Sequence, residues 1–249
     1  MTTEKNNGIV PSFCQQNQVP FLSVSNLKDS EIQNAILNTE SQLAVVADFG
    51  LIIPEKILAA YSKGVINIHP SLLPKYRGPS PVQEAISNGN KVSGVSIMKI
   101  DKQVDHGPIL VQIGEEIKDT DTAQSLYERL FKVGADLLPE AINKYLSGEL
   151  KPQEQDHVKA TFTKILTRQD GFIELSKIDD KKSRTKLNQM IRAYFPWPGV
   201  WFKTKLGGRE KIIKLLPENK LQVEGKKPMS YKDFLNGYPE ARGLLNQIS

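Results

Sequence analysis

A single cysteine, Cys14, leaves the chain no internal disulfide to form, as is usual for a protein of a reducing compartment. Long apolar runs are also missing. No stretch reaches the ~18 consecutive apolar residues of a membrane span, and residues 1–13 lack the apolar core of a secretory signal. Neither G-x-x-x-x-G-K-[ST] nor G-x-G-x-x-G occurs, so a nucleotide cofactor has no support. Ser71 is not in a G-x-S-x-G elbow and Cys14 has no partner signature, which argues against a nucleophilic hydrolase. Histidines number only three, and His106 and His157 are far in sequence from any paired Cys or His, so no metal site is expected. Internal repeats and low-complexity tracts are absent, and the expected location is cytoplasmic.

What is present is ordinary in bulk and uneven in distribution. The 249 residues suffice for one or two domains, and 39% hydrophobic with 24% charged residues suits a water-soluble fold. Residues 1–156 carry 14 Lys+Arg against 19 Asp+Glu, a net of −5, whereas residues 157–249 carry 19 against 9, a net of +10. A basic rear half favours a polyanionic partner, nucleic acid, over a merely solvated lysine face.

The stretch from Val65 to Gly78 organises the rest. Val65–His69 reads as a short strand, with Ile66 and Ile68 on one face and Val65, Asn67 and His69 on the other. Asn67 and His69 emerge roughly 6.5 to 7 Å apart on that face. Pro70 stops the ladder, and a polar pair at a strand end lies where open α/β sheets place ligands. A hydrogen-bonded Asn beside a satisfied His is the competing, purely structural reading. Upstream, a helix near Pro11–Gln16, a strand at Pro20–Ser23 and a helix capped by Asp29 or Ser30 are expected. Leu43–Ala47 reads as a strand buried on both faces of a parallel sheet, followed by a helix from Pro54. Downstream, Ser80-Pro81-Val82-Gln83 reads as a capping box opening a helix, with Gly89 as its stop. Strands at Val95–Ile100 and Ile109–Val111 flank a turn-rich loop, Asp101–Pro108, and a helix from Ala123 is expected to kink or split at Pro139.

The pattern N-x-H-x-S-L-L-P-x-[YF]-x-G from Asn67 to Gly78, followed by D-x-x-x-D-x-G-P from Asp101 to Pro108, resembles the folate-dependent formyltransferase family. That resemblance implies formyl transfer from 10-formyltetrahydrofolate to an amine, with Asn67, His69 and Asp105 catalytic. It also implies a pterin lying against the backbone of Leu51, Ile52 and Ile53 and the loop residues Asp101, Lys102, Gln103 and Val104. His106 stands where the family usually has Thr or Gly, a departure in the loop and not in the three catalytic positions. Chemically the trio is sensible. Asn67 and a cationic His69 can donate to the oxyanion that forms as an amine attacks a formamide carbon, and Asp105 can favour the imidazolium and accept the amine's proton.

The second half reads as a linker near Leu150–Lys159, a helix over Lys182–Tyr194 and short strands at Val200–Lys203, Lys211–Leu215 and Leu221–Val223, which suggest a small barrel. Trp197 and Trp201 are expected in the core. D-G-x-I at Asp170 and R-A-x-x-P-W-P-G at Arg192–Gly199 are similar to the domain appended to methionyl-tRNA formyltransferases, which implies an OB-like barrel and initiator methionyl-tRNA as acceptor. The expected organisation is a Rossmann-like catalytic domain over 1–150, a linker over 151–165 and a basic OB-like domain over 166–249. Amino-sugar formyltransferases, formyltetrahydrofolate hydrolases and an inactive tRNA-binding protein remain as alternatives. Measured against the family, the chain opens at the helix after the usual first βαβ unit. Roughly 40 residues of the usual front are expected to be absent, with an open sheet edge and a concentration-dependent oligomeric state as consequences.

Overall fold

The structure, a computed structural model, describes residues 8–248, the side chains of residues 246 and 247 excepted. Residues 1–7 and 249, the outer ends of the two expected domains, lie outside the described residues. Two compact units divide the chain. One takes the chain up to His69 with Ser96–Gln112 and Gly134–Ala160; the other takes Pro70–Val95, Ile113–Val133 and the chain from Thr161 on.

In the first unit, α1 (Ile9–Gln16) and α2 (Ser30–Leu37) form where expected. The Asp29 carboxylate accepts from the amides of Glu31 and Ile32 and so caps α2. No strand forms at 20–23. β1 (Leu43–Ala47) leads through the short α3 (Glu55–Leu58) to β2 (Gly64–His69), and the two strands pair in parallel from Leu43↔Gly64 to Ala47↔Ile68. β1 is not buried on both faces as its sequence suggested. Among the described residues it stands at the edge of its sheet with β2 as sole neighbour, and Val45 is 42% exposed.

The chain continues into α4 (Pro81–Ser87), β3 (Val92–Lys99), β4 (Ile109–Glu116) and α5 (Ala123–Leu146). The sheet order is β1-β2-β3-β4, with β3 antiparallel to β2. The sheet is therefore mixed and not parallel, because residues 70–91 return the chain to the end of the sheet it had just left. α5 runs through Pro139 for 24 residues without the expected split. Proline costs a helix interior about 3 kcal/mol. Here half-buried Leu137, Leu138 and Ile142 and buried Ala141 of the same turns pack with Ile66, Ile97 and Leu110, and each half-buried aliphatic side chain recovers part of the roughly 1.5–3 kcal/mol of full burial.

In the second unit, Ser80 stands at the N-cap of α4 without the expected capping bond; its hydroxyl donates to the Lys164 carbonyl instead. Asp121, whose side chain is only 5% exposed, is held by Arg129, whose two terminal nitrogens reach its two oxygens at 2.8 and 2.7 Å. Burial pushes Asp121 up, but the Arg129 guanidinium and the Lys118 N–H outweigh it and keep the carboxyl below its usual range. Removing one partner of such a pair leaves a buried charge uncompensated. Arg129→Met is accordingly expected to cost about 3 kcal/mol of stability in urea unfolding, and a loss below ~0.5 kcal/mol would contradict this account of the pair.

The rest of this unit is α6 (Lys181–Ala193), four strands β5 (Val200–Leu206), β6 (Arg209–Leu216), β7 (Lys220–Val223) and β8 (Met229–Ser230), then α7 (Tyr231–Gly237) and α8 (Arg242–Ile248). The strands form an open antiparallel sheet in sequential order, not a closed barrel, among the described residues. β5 and β6 turn through Gly207 and Gly208, both at positive φ (55° and 76°), the geometry of a two-residue hairpin that glycine adopts without strain. Phe202, Ile213, Leu215, Leu221, Val223, Phe234 and Leu187 form its buried core.

The motifs at 170–173 and 192–199 meet here. A Cβ on Gly171 would lie 1.8 Å from the Gly199 carbonyl oxygen, so only glycine fits. Ile173 N–H donates to Trp201 O at 2.9 Å. Trp201 is half-buried, with Phe172 against its ring, but Trp197 is 58% exposed and not in the core as expected. The reason is local: Pro196 and Pro198 bracket Trp197 in a surface turn that ends at Gly199 (φ 75°).

Asp170 is ion-paired to Lys164 and accepts from the Thr167 N–H and hydroxyl, both at 2.8 Å; the Lys164 ammonium and these donors hold it down at about 2. A depressed carboxyl stabilises the fold above its unfolded pKa of ~3.9, and that contribution is lost as pH falls through the folded value. Asp170→Asn is therefore expected to melt below the parent at neutral pH, with the gap closing between pH ~4 and ~2. Melting curves across that range check it; a constant gap would contradict the assignment.

Candidate active site

β2 alternates as its sequence predicts. Ile66 turns to the cluster it forms with Ile97, Leu110 and Ala141, which leaves Asn67 and His69 on the other face. In the antiparallel pairing Asn67 faces Met98 and His69 faces Ser96. His69 is 4% exposed and Ser96 fully buried, and Ser96 Oγ accepts from Gln112 Nε2 at 2.8 Å. The face carrying Asn67 and His69 is thus extended across the sheet by two further polar side chains.

Asp105 comes to this face from the loop between β3 and β4. Its Oδ1 lies 3.6 Å from His69 Nδ1, within ion-pair range though longer than a direct hydrogen bond. Such contacts are often long before substrate binds. Asp105 has φ 47°, the left-handed region that Asp tolerates better than most residues.

Several contacts shape the loop. Asp101 Oδ1 accepts from Gln103 N–H at 2.8 Å, and its Oδ2 is 2.7 Å from His106 Nδ1. The His106 ring stacks on His157 at 4.0 Å and 3°. A Cβ on Gly107 would lie 2.1 Å from the Lys99 carbonyl oxygen, so glycine is required there. Gln155, 5% exposed, donates to the carbonyls of Asp105 and Gly107 at 2.9 and 2.7 Å. The family departure at His106 is therefore accommodated by a partner on each side of the ring. His106 and His157, distant in sequence, are adjacent in space. Among the described residues no group of three or more His, Cys, Asp or Glu side chains is arranged to hold a metal ion.

Of the residues expected against a pterin, Leu51 and Ile53 are half-buried against Val24, Leu27, Ile36 and Ile57, whereas Ile52 is 91% exposed. Lys102 and Val104 are exposed too, and Lys102 Nζ reaches Glu55 Oε2, on α3, at 3.0 Å. Sequence reasoning missed Ser96, Gln112 and Gln155. Ser96 could have been found, since it shares strand parity with Met98 opposite the Asn67 face. Gln155 gives no such signal, because a glutamine in a polar, proline-containing segment looks like any linker residue.

A buried imidazole turned toward a carboxylate, with an amide two residues before it on the same face, can polarise a carbonyl and accept a proton at one place. Comparison with known proteins gives the family. The sequence profile described as formyl transferase matches residues 1–142. The methionyl-tRNA formyltransferase of Roseiflexus sp. (strain RS-1) is 43% identical over 182 residues, 73% of this chain and 54% of the relative. That of Rhizobium rhizogenes is 32% identical over 255 residues, 91% of this chain and 79% of the relative. A crystal structure of a 4-N formyltransferase from Francisella tularensis superposes with a TM-score of 0.66 at 21% identity, covering 82% of this chain and 81% of that one, a likeness of fold. The chain belongs to the formyl transferase family. It spans about half the length of the Roseiflexus relative. Among the described residues no helix is long and apolar enough to cross a membrane.

Proposed function

We propose that this chain transfers a formyl group from 10-formyltetrahydrofolate to the amino group of initiator methionyl-tRNA in the cytoplasm. The observation that carries the reading is His69 buried on a strand face, with its Nδ1 turned to Asp105 and Asn67 two residues before it. In this reading Asn67 Nδ2 and His69 Nε2 donate to the formyl oxygen as the methionyl nitrogen attacks. The new C–N bond forms as the C–N10 bond of the folate breaks, and Asp105 takes the amine's proton and passes it on to N10. The pterin lies against Leu51–Ile53 and Asp101–Val104, and the Lys102–Glu55 ion pair ties the second segment to the helix that follows the first.

The choice of methionyl-tRNA rests on the 32–43% identity to methionyl-tRNA formyltransferases and on the +10 charge of residues 157–249. The same reading divides the chain into a catalytic domain (1–150), a linker (151–165) and a basic OB-like domain (166–249). Its support is the hydrophobic core of the second sheet, drawn wholly from residues after 172. The test offers labelled formyl donor to methionyl-tRNA, to an amino-sugar nucleotide and to water alone. Label on methionyl-tRNA is expected; label on the sugar, or release as formate at the same rate without acceptor, would overturn the reading.

A further inference from the structure

The loop that carries Asp105 is held from one side by a segment that family chemistry does not call on. Gln153 and Ile109 exchange both backbone hydrogen bonds, at 2.7 and 2.8 Å. Two residues on, Gln155 spans the loop by donating to Asp105 O and Gly107 O. Two further on, the His157 ring lies flat on His106. Gln155 and His157 thus grip the loop and Gln153 the first residue of β4 beyond it, and the grip at Gln155 falls on Asp105 itself.

Asp105 needs such a grip. A non-glycine residue at φ 47° is held there by its surroundings and not by its own preference. The Asp105 and Gly107 carbonyls point to the same amide nitrogen, and Gln155 is 95% buried, so the two bonds are made away from bulk water. Buried carbonyls that lose their donor turn elsewhere to find one. Turning the Asp105 peptide would swing its carboxylate away from His69.

We propose that Gln155 is a positioning residue for catalysis: by clamping the Asp105 and Gly107 carbonyls it fixes the loop conformation that aims the Asp105 carboxylate at His69. The inference rests on the catalytic reading of Asp105 given above. Gln155 touches no reacting atom in this account and acts only through Asp105.

Four proteins test it by turnover with 10-formyltetrahydrofolate and methionyl-tRNA: the parent, Q155M, D105N and the double variant. Methionine keeps the length of glutamine and loses the donor. A misplacement of about 1 Å can cost ~100-fold in rate, so Q155M is expected to lose roughly 10- to 100-fold in kcat. In the D105N background it should cost no more than about two-fold, because residues acting as one unit are not additive. Amide hydrogen exchange at 105–107 should quicken in Q155M whether or not turnover is measured. Should Q155M fail to fold, Q155E serves, since it keeps the shape and replaces the donor with an acceptor. Parental turnover in Q155M while D105N is inactive would overturn the clamp and leave the catalytic reading standing. Losses that multiply in the double variant, or unchanged exchange at 105–107, would also overturn it. Parental turnover in D105N would remove the catalytic reading first, and the clamp with it.

Discussion

His69→Ala is expected to lower formyl-transfer turnover by at least ~100-fold, the loss typical of removing one oxyanion donor, about 3 kcal/mol in the transition state. Asn67→Ala and Asp105→Ala should fall in the same range, for different reasons. Asn67 contributes a neutral donor, whereas His69 contributes one strengthened by the facing carboxylate 3.6 Å away. Asp105→Ala removes both that carboxylate and the proton acceptor. Because the three act on one oxygen and one proton, the triple variant should be little worse than the worst single one. Steady-state kinetics with melting curves in parallel separate chemistry from folding. Alanine at His69 with near-parental turnover would mean that His69 is only the buried partner of Ser96.

The second large effect concerns the acceptor. If residues 157–249 meet the tRNA through phosphates, each contact releases counterions and log affinity falls linearly with log salt. With six phosphates neutralised, affinity should drop about 10³-fold between 50 and 200 mM salt. Lys203, Lys220 and Lys177 already pair with Glu210, Glu218 and Glu174, yet all six groups are at least half exposed. Such surface pairs contribute little and exchange readily for phosphate. Trp197, exposed on its proline-bracketed turn, stands on the same domain and offers a face for a base. Binding measured from 50 to 200 mM salt checks the slope; a flat dependence would contradict a phosphate-led interface.

Legibility from sequence differed by residue and by the physics that fixes each one. Asn67 and His69 were readable because strand alternation fixes which face a side chain takes, whatever surrounds the strand. The α2 cap at Asp29 was readable for the same reason: a few adjacent residues settle it. What depended on distant neighbours was not readable. Leu43–Ala47 has the composition of a strand buried on both faces, yet Val45 is 42% exposed. Pro139 argues for a break that packing around Leu137–Ile142 overrides. The antiparallel return of β3 follows from where residues 70–91 deliver the chain, which no local pattern encodes. At the site, the contact of Asp105 with His69 joins residues 36 apart, and Gln155 reaches Asp105 across 50. Family resemblance supplied the first; nothing short of the fold supplied the second.

Direct transfer at this one site is the claim most exposed to a single measurement. With enzyme in excess over formyl-labelled 10-formyltetrahydrofolate and methionyl-tRNA present, a single turnover is quenched in acid and the label followed. Label is expected to pass from folate to the methionyl nitrogen at the rate tetrahydrofolate appears, with none on the protein, and His69→Ala is expected to slow both together. Label retained on the protein, or released as formate ahead of any formylated tRNA, would contradict it.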